Sequence, residues 1–218
     1  MEDTDIQLAS DNLWHLWQSQ TLINKLPQQE RPTTREDGYA IQALLEQRSS
    51  YPIYGWKIAA TSKAGQSHIG VSGPMAGRIL RERVHNSGEK IPIDKCAMRV
   101  AEAEFTFRIE NDLPPKGKPY TVDEVLNAVS DLYPAIEVPD SRFTNFVDAG
   151  EAQLIADNAC AHEFFIGSPC PIPWRGIDLK THVVELKTSD SVSELGKGGN
   201  VLGDPRIALT WLVNELCQ

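Results

Sequence analysis

The sequence predicts an α+β protein, on three observations. Helical apolar spacing occurs at both ends of the chain. The run Ala101-Glu-Ala-Glu-Phe-Thr-Phe-Arg-Ile109 alternates with the period of an extended strand. Between these features, short β-type segments are punctuated by Gly and Pro. The chain has 218 residues, 41% of them hydrophobic and 23% charged, enough for one globular domain or one domain with a helical appendage.

The formal net charge of −9 argues against a nucleic-acid binder or a basic membrane-surface protein. No apolar run approaches the length of a bilayer span, and the start Met-Glu-Asp-Thr-Asp is acidic, unlike a signal peptide. Cys96, Cys160, Cys170 and Cys217 are widely spaced and read as free thiols of a reducing cytoplasm.

The first element is an amphipathic helix expected from Ala9 to Lys25, capped by Ser10 or Asp11 and ended by Pro27. A second helix starts at Thr33 or Thr34 and runs through Tyr39, Ile41 and Leu45. Residues 1–50 thus form a helical lead-in to the region 51–218. Strand character begins at Pro52–Ala60, where Tyr54, Trp56 and Ile58 share one face and Gly55, Lys57 and Ala59 the other. Lys57 therefore projects among very small residues, either as a solvated lysine or into a pocket that Gly and Ala leave open.

Ser72–Gly77 reads as a glycine-rich turn before a short strand at Arg78–Leu80. In the alternating run, Glu102 and Glu104 are neighbours on one strand face, where like charges repel unless a cation or proton lies between them. Either that face is simply wet, or the two acids hold a divalent metal with a third ligand from elsewhere. Thr121-Val-Asp-Glu124 is a capping box that opens a helix expected to continue through Val129 and Leu132 to Pro134.

Ala135-Ile-Glu-Val-Pro139 is a short, mainly apolar strand carrying Glu137, an acid that is either buried with a purpose or exposed at the strand end. Residues 155–167 read as a loop feeding another strand, and Asp178–Lys187 continues the β pattern. Gly196–Asn200 is expected to be a flexible turn, before a last helix capped by Asp204 and opened by Pro205.

Several motifs fail on spacing. Gly196–Gly203 lacks the ending of a phosphate loop, and Gly65–Gly70 fits a nucleophile elbow only loosely, which makes Ser67 and His68 loop residues. The five histidines form no zinc-type set with the cysteines. Oxygen ligands remain as the metal-binding set.

Five blocks, in order along the chain, resemble the 2-keto-4-pentenoate hydratase group of the fumarylacetoacetate hydrolase superfamily. They are Gly55–Lys63, Ala101–Phe105, Pro134–Arg142, Ala156–Ala159 and Leu202–Pro205 with Trp211-Leu212. The resemblance implies a mixed, strongly curved β-sheet with flanking helices. It also implies Mg²⁺ or Mn²⁺ on Glu102, Glu104 and Glu137, and Lys57 as the active-site lysine. Three carboxylates and water are hard oxygen ligands that suit such an ion.

The implied activity is addition of water to a 2-hydroxy-2,4-dienoate or 2-oxo-4-enoate by a cytoplasmic homo-oligomer acting on small acids, as in aromatic catabolism. Alternatives within the fold are a 2-oxo acid decarboxylase or an acylpyruvate hydrolase, and outside enzymology a non-catalytic partner subunit. Two departures stand out. Met75 occupies the place of an active-site aspartate in the hydratases, and the family continues past the helix ending at Leu216 with further strands.

Overall fold

The computed structural model describes residues 1–190 and 192–217. In chain order it contains α1 (Asp3–Ser19), α2 (Arg35–Ala43), β1 (Gly55–Ala59), α3 (Lys63–Ile69), β2 (Met75–Ile79), β3 (Val84–Asn86) and β4 (Glu102–Ile109). It continues with α4 (Val122–Asn127), β5 (Val129–Val138), α5 (Glu151–Ala156), β6 (Glu163–Ile166), β7 (Val183–Lys187), β8 (Ser193–Lys197) and α6 (Pro205–Leu216). Helices and sheets are mixed as the α+β expectation requires. Among the described residues, no helix is long and apolar enough to cross a membrane.

The chain forms two compact units. Met1–Ala101 with Val138–Phe164 make the first, and Glu102–Glu137 with Phe165–Gln218 the second. In the first unit, Leu13 and Leu16 of α1, Ile41 of α2, Met75 of β2 and Leu154 and Ile155 of α5 share one buried cluster. Each such side chain contributes roughly 1.5–3 kcal/mol on removal from water. Gln42 is fully buried in the same unit, where its amide nitrogen donates to the carbonyls of Ala76 and Ile155 at 2.9 and 2.8 Å. That pair of bonds ties α2 to β2 and α5.

β1 and β2 form an antiparallel hairpin in which Lys57 faces Gly77 and Ala59 faces Met75. In the second unit, β4 and β5 pair antiparallel over almost their whole length, and β7 pairs with β8. Phe105 and Phe107 of β4 pack against the cluster of Val125, Val129, Leu132, Trp174 and Leu209, with Phe107 edge-on to Trp174 at 5.7 Å.

Helix starts follow the expected caps. Thr34 accepts from the Asp37 amide, Thr121 and Glu124 complete the capping box of α4, and Asp204 accepts from the Arg206 amide. Five segments differ from expectation. α1 begins at Asp3, where Asp3 and Asp5 complement the positive end of the helix dipole, and it stops at Gln20, whose backbone is left-handed. The helix opened by Thr121 ends at Asn127, and Val129–Val138 is a ten-residue strand with Pro134 inside it. Pro134 still contributes its carbonyl, which accepts from the Gly167 amide at 2.9 Å.

The supposed glycine-rich turn is in large part β2, buried throughout, and Gly65–Ile69 is helical, so Ser67 and His68 sit exposed on α3. Gly196 and Lys197 end β8, and Gly198 follows in a 3₁₀ turn. A Cβ on Gly198 would lie 1.8 Å from the Leu179 carbonyl oxygen, so this glycine serves close packing, not mobility.

Candidate functional site

Register creates the acidic cluster. In β4, Glu102 and Glu104 lie two residues apart and share a face. Residues directly opposite in an antiparallel pair also share a face, and Glu102 is paired with Glu137 of β5. The third acid therefore arrives on the side of the first two. One carboxylate oxygen from each of Glu102, Glu104 and Glu137 lies within 4.8 Å of the others.

The three are graded in burial. Glu102 is exposed, Glu104 half-buried and Glu137 only 3% exposed. Three carboxylates at this spacing repel, and one of them is removed from water, so the arrangement suits a bound divalent cation. The donors are all hard oxygens, which fits Mg²⁺, Mn²⁺ or Ca²⁺ and not a soft metal.

Lys57 belongs to the first unit. It is half-buried on β1, and its Nζ donates to the Ala159 carbonyl at 3.1 Å. Across the hairpin, a Cβ on Gly77 would lie 2.5 Å from the Asn158 carbonyl oxygen and 3.1 Å from Lys57 Cδ. Only glycine leaves the lysine stem this path. Asn158 is held in turn by the Arg78 backbone, accepting from its amide at 2.6 Å and donating to its carbonyl at 2.8 Å.

The segment so anchored is strained. Asn158, Ala159 and Cys160 have φ of 56°, 49° and 61°, a left-handed run without a glycine. Each such residue costs on the order of 1 kcal/mol or more, and such strain clusters at functional sites. Burial, with the Asp157 charge adding to it, pushes the Cys160 thiol up to about 12, so it stays protonated and unreactive. Sequence reasoning read residues 155–167 as a loop and singled out 156–159 only through the resemblance. Backbone handedness leaves no periodic trace, and the Asp-Asn pair was its one available signal.

The same reasoning missed the ion pair beside this run. Arg142 Nε donates to Asp157 Oδ1, and the Arg142 amide and Ser141 hydroxyl donate to Asp157 Oδ2 at 3.0 and 2.8 Å. Burial drives the Asp157 carboxyl pKa upward, and Arg142 and Ser141 oppose that shift. Met75 lies in the first unit's core at 1% exposure. An aspartate there would bring a buried charge into an apolar cluster.

These strands and acids define a class, a fumarylacetoacetate hydrolase-like fold with a carboxylate cluster, and comparison with known proteins gives the family. No family model matches the sequence. A 2-hydroxypent-2,4-dienoate hydratase of Pseudomonas putida is 32% identical over 220 residues, covering 99% of this chain and 97% of that protein. A 2-keto-4-pentenoate hydratase of Burkholderia vietnamiensis is 32% identical over 183 residues, with 83% of this chain and 68% of its own length aligned.

Among solved structures, a 4-oxalocrotonate decarboxylase of Pseudomonas putida G7 complexed with magnesium and adipate superposes with a TM-score of 0.86 at 26% identity. The match covers 99% of this chain and 82% of that one. The same enzyme has also been seen with calcium and acetate. The chain belongs to the 2-keto-4-pentenoate hydratase family.

Proposed function

We propose that this chain is a Mg²⁺-dependent hydratase that adds water to a 2-hydroxy-2,4-dienoate, in its 2-oxo-4-enoate form, to give a 4-hydroxy-2-oxo acid. The observation that carries this reading is the register that gathers Glu102, Glu104 and Glu137 within 4.8 Å, in a chain of hydratase family. These three residues would hold the ion. When bound, it supplies positive charge against the oxygen charge that develops as a 2-oxo acid enolises.

Lys57 takes the catalytic role among the chain's own groups, binding the substrate carboxylate or carrying a proton. Its anchorage on the Ala159 carbonyl and the bare Gly77 opposite fix the path of its stem. Replacing it with methionine keeps the stem and removes the charge. Lys57→Met is expected to lower kcat by about 10²–10⁴ while Mg²⁺ affinity is unchanged. Full turnover in that variant would remove Lys57 from the mechanism.

The activity itself is tested by following the ultraviolet absorbance of 2-hydroxypenta-2,4-dienoate with purified protein, with Mg²⁺ and after metal removal. Metal-dependent decay to 4-hydroxy-2-oxopentanoate is expected. A second reading, C–C cleavage, draws on the decarboxylase among the structural relatives. Release of CO₂ from a 4-oxalocrotonate-type substrate, with no hydration of the dienoate, would establish that reading instead.

A further inference from the structure

The first unit holds a second set of possible metal ligands, since Cys96, Asp140 and His162 bring a sulfur, an oxygen and a nitrogen within 4.8 Å of one another. Trp17 Nε1 donates to His162 Nδ1 at 2.7 Å, and an indole can only donate. The proton of the neutral ring therefore sits on Nε2, and His162 has no lone pair left for a metal. The left-handed run at 158–160 leads further.

Three consecutive residues with side chains are left-handed there, a conformation that persists only where the surrounding structure enforces it. The enforcing group is the Asn158 side chain. Among the described residues, β2 pairs with β1 alone. The Arg78 amide of β2 donates to Asn158 Oδ1 at 2.6 Å, and Asn158 Nδ2 donates to the Arg78 carbonyl at 2.8 Å. One side-chain amide thus meets both backbone groups, as a neighbouring strand would. Asn158 is 1% exposed, so water does not compete for either bond.

This clamp fixes where the next carbonyl goes. The Asn158 carbonyl oxygen lies against Gly77, where a Cβ would come within 2.5 Å of it. Ala159 follows with a φ of 49°, and its carbonyl accepts from Lys57 Nζ at 3.1 Å. Lys57 faces Gly77 across the hairpin, so the clamp at Arg78 sits one residue from the position opposite the lysine. Lysine carries its charge on a flexible stem, and its use in a reaction depends on what holds the end. Here that holder is a main-chain atom, which no side chain at 159 supplies.

We infer that Asn158 is a positioning residue for Lys57: it pins the 158–160 turn to β2 so that the Ala159 carbonyl fixes the lysine's amino group. The inference rests on the reading of Lys57 as the catalytic lysine, but the clamp itself can be read without any turnover. An asparagine with an architectural role alone would stabilise the unit without controlling the lysine.

The test is competitive labelling with trace acetic anhydride, the acetylation of each lysine being read by peptide mass spectrometry. Asn158→Gly keeps the left-handed backbone at no steric cost and removes the clamp. Labelling of Lys57 should rise about fivefold, the factor of one lost hydrogen bond, while Lys63 and Lys95 of the same unit stay at their wild-type rates. Ala159→Gly, which eases the strain and keeps the clamp, should leave Lys57 at its wild-type rate. If Asn158→Gly does not fold, Asn158→Asp keeps the shape and the acceptor, loses the donor, and should also raise Lys57 labelling selectively. In turnover, Asn158→Gly should lower kcat about fivefold and have no further effect in a Lys57→Met background. Unchanged Lys57 labelling, an equal rise at all three lysines, an equal rise in Ala159→Gly, or a kcat loss that persists without Lys57 would overturn the proposal. A selective rise in a protein that does not hydrate the dienoate would uphold the clamp and overturn the hydratase reading instead.

Discussion

Asp157 and Glu137 are both removed from solvent, at 1% and 3% exposure, and the chain surrounds them in opposite ways. Asp157 is met by a guanidinium, a hydroxyl and a backbone amide. Glu137 is met by two further carboxylates. A fold gains nothing by collecting three negative groups on one strand face, whereas a buried acid clasped by arginine can belong to the architecture. On the function proposed here, the same residue class does structural work in one place and ligand work in the other.

Removing the partner of the structural acid should have the largest effect. Arg142→Leu leaves Asp157 buried without its cation, and urea unfolding should show a loss of about 3–5 kcal/mol. Adding Asp157→Asn should recover a good part of that loss, because the uncompensated charge is gone. Additive losses would mean that the two residues do not act as a pair.

A smaller effect belongs to His162. Burial, then the charges of Arg83, Arg142 and His85, depress its pKa to about 3, so it is neutral in the fold. Glu163, at 3.6 Å from His162 Nε2, also binds Arg83 and His85 and does not offset this. The unfolded chain takes up a proton near pH 6.5, so this group's share of stability is complete above that pH. It is lost as pH falls toward 3, at no more than about 1.4 kcal/mol per pH unit. His162→Gln, which keeps an acceptor for Trp17, should lose about 2 kcal/mol less than the wild type between pH 6.5 and 5, read from urea midpoints. Parallel pH profiles would contradict the neutral buried ring.

The smallest stability change is expected at Glu137, the acid proposed as a metal ligand. In metal-stripped protein, Glu137→Gln should unfold within about 1 kcal/mol of the wild type or above it, because repulsion is relieved. Mg²⁺ at a hundred times its Kd should stabilise the wild type by about 2.7 kcal/mol and the variant not at all. A large metal-free loss in Glu137→Gln would place Glu137 with Asp157 as an architectural acid.

Much of this contrast was legible in the sequence, and only one side of it. Alternation set Glu102 and Glu104 on one face, and the apolar setting of Glu137 singled it out. Their convergence needed the β4–β5 register, which local periodicity does not specify. β5 itself was half hidden, because Val129 and Leu132 suit helical spacing and Pro134 resembles a stop. Tertiary pairing overrode that preference.

β2 was read in large part as a turn because Gly73-Pro74 precede it and Gly77 interrupts it. Gly77 is needed inside the strand, where the Asn158 carbonyl approaches closely. The Arg142–Asp157 pair lies fifteen positions apart across α5, a separation no local period reports, and the left-handed run beside it depends on backbone angles that no residue pattern reports.

The most direct measurement is isothermal titration of Mg²⁺ into metal-stripped wild-type protein and into Glu102→Gln, Glu104→Gln and Glu137→Gln. One ion per chain is predicted for the wild type, with affinity greatly weakened in each variant. Unchanged binding in all three variants would contradict the assignment of these glutamates as the metal site.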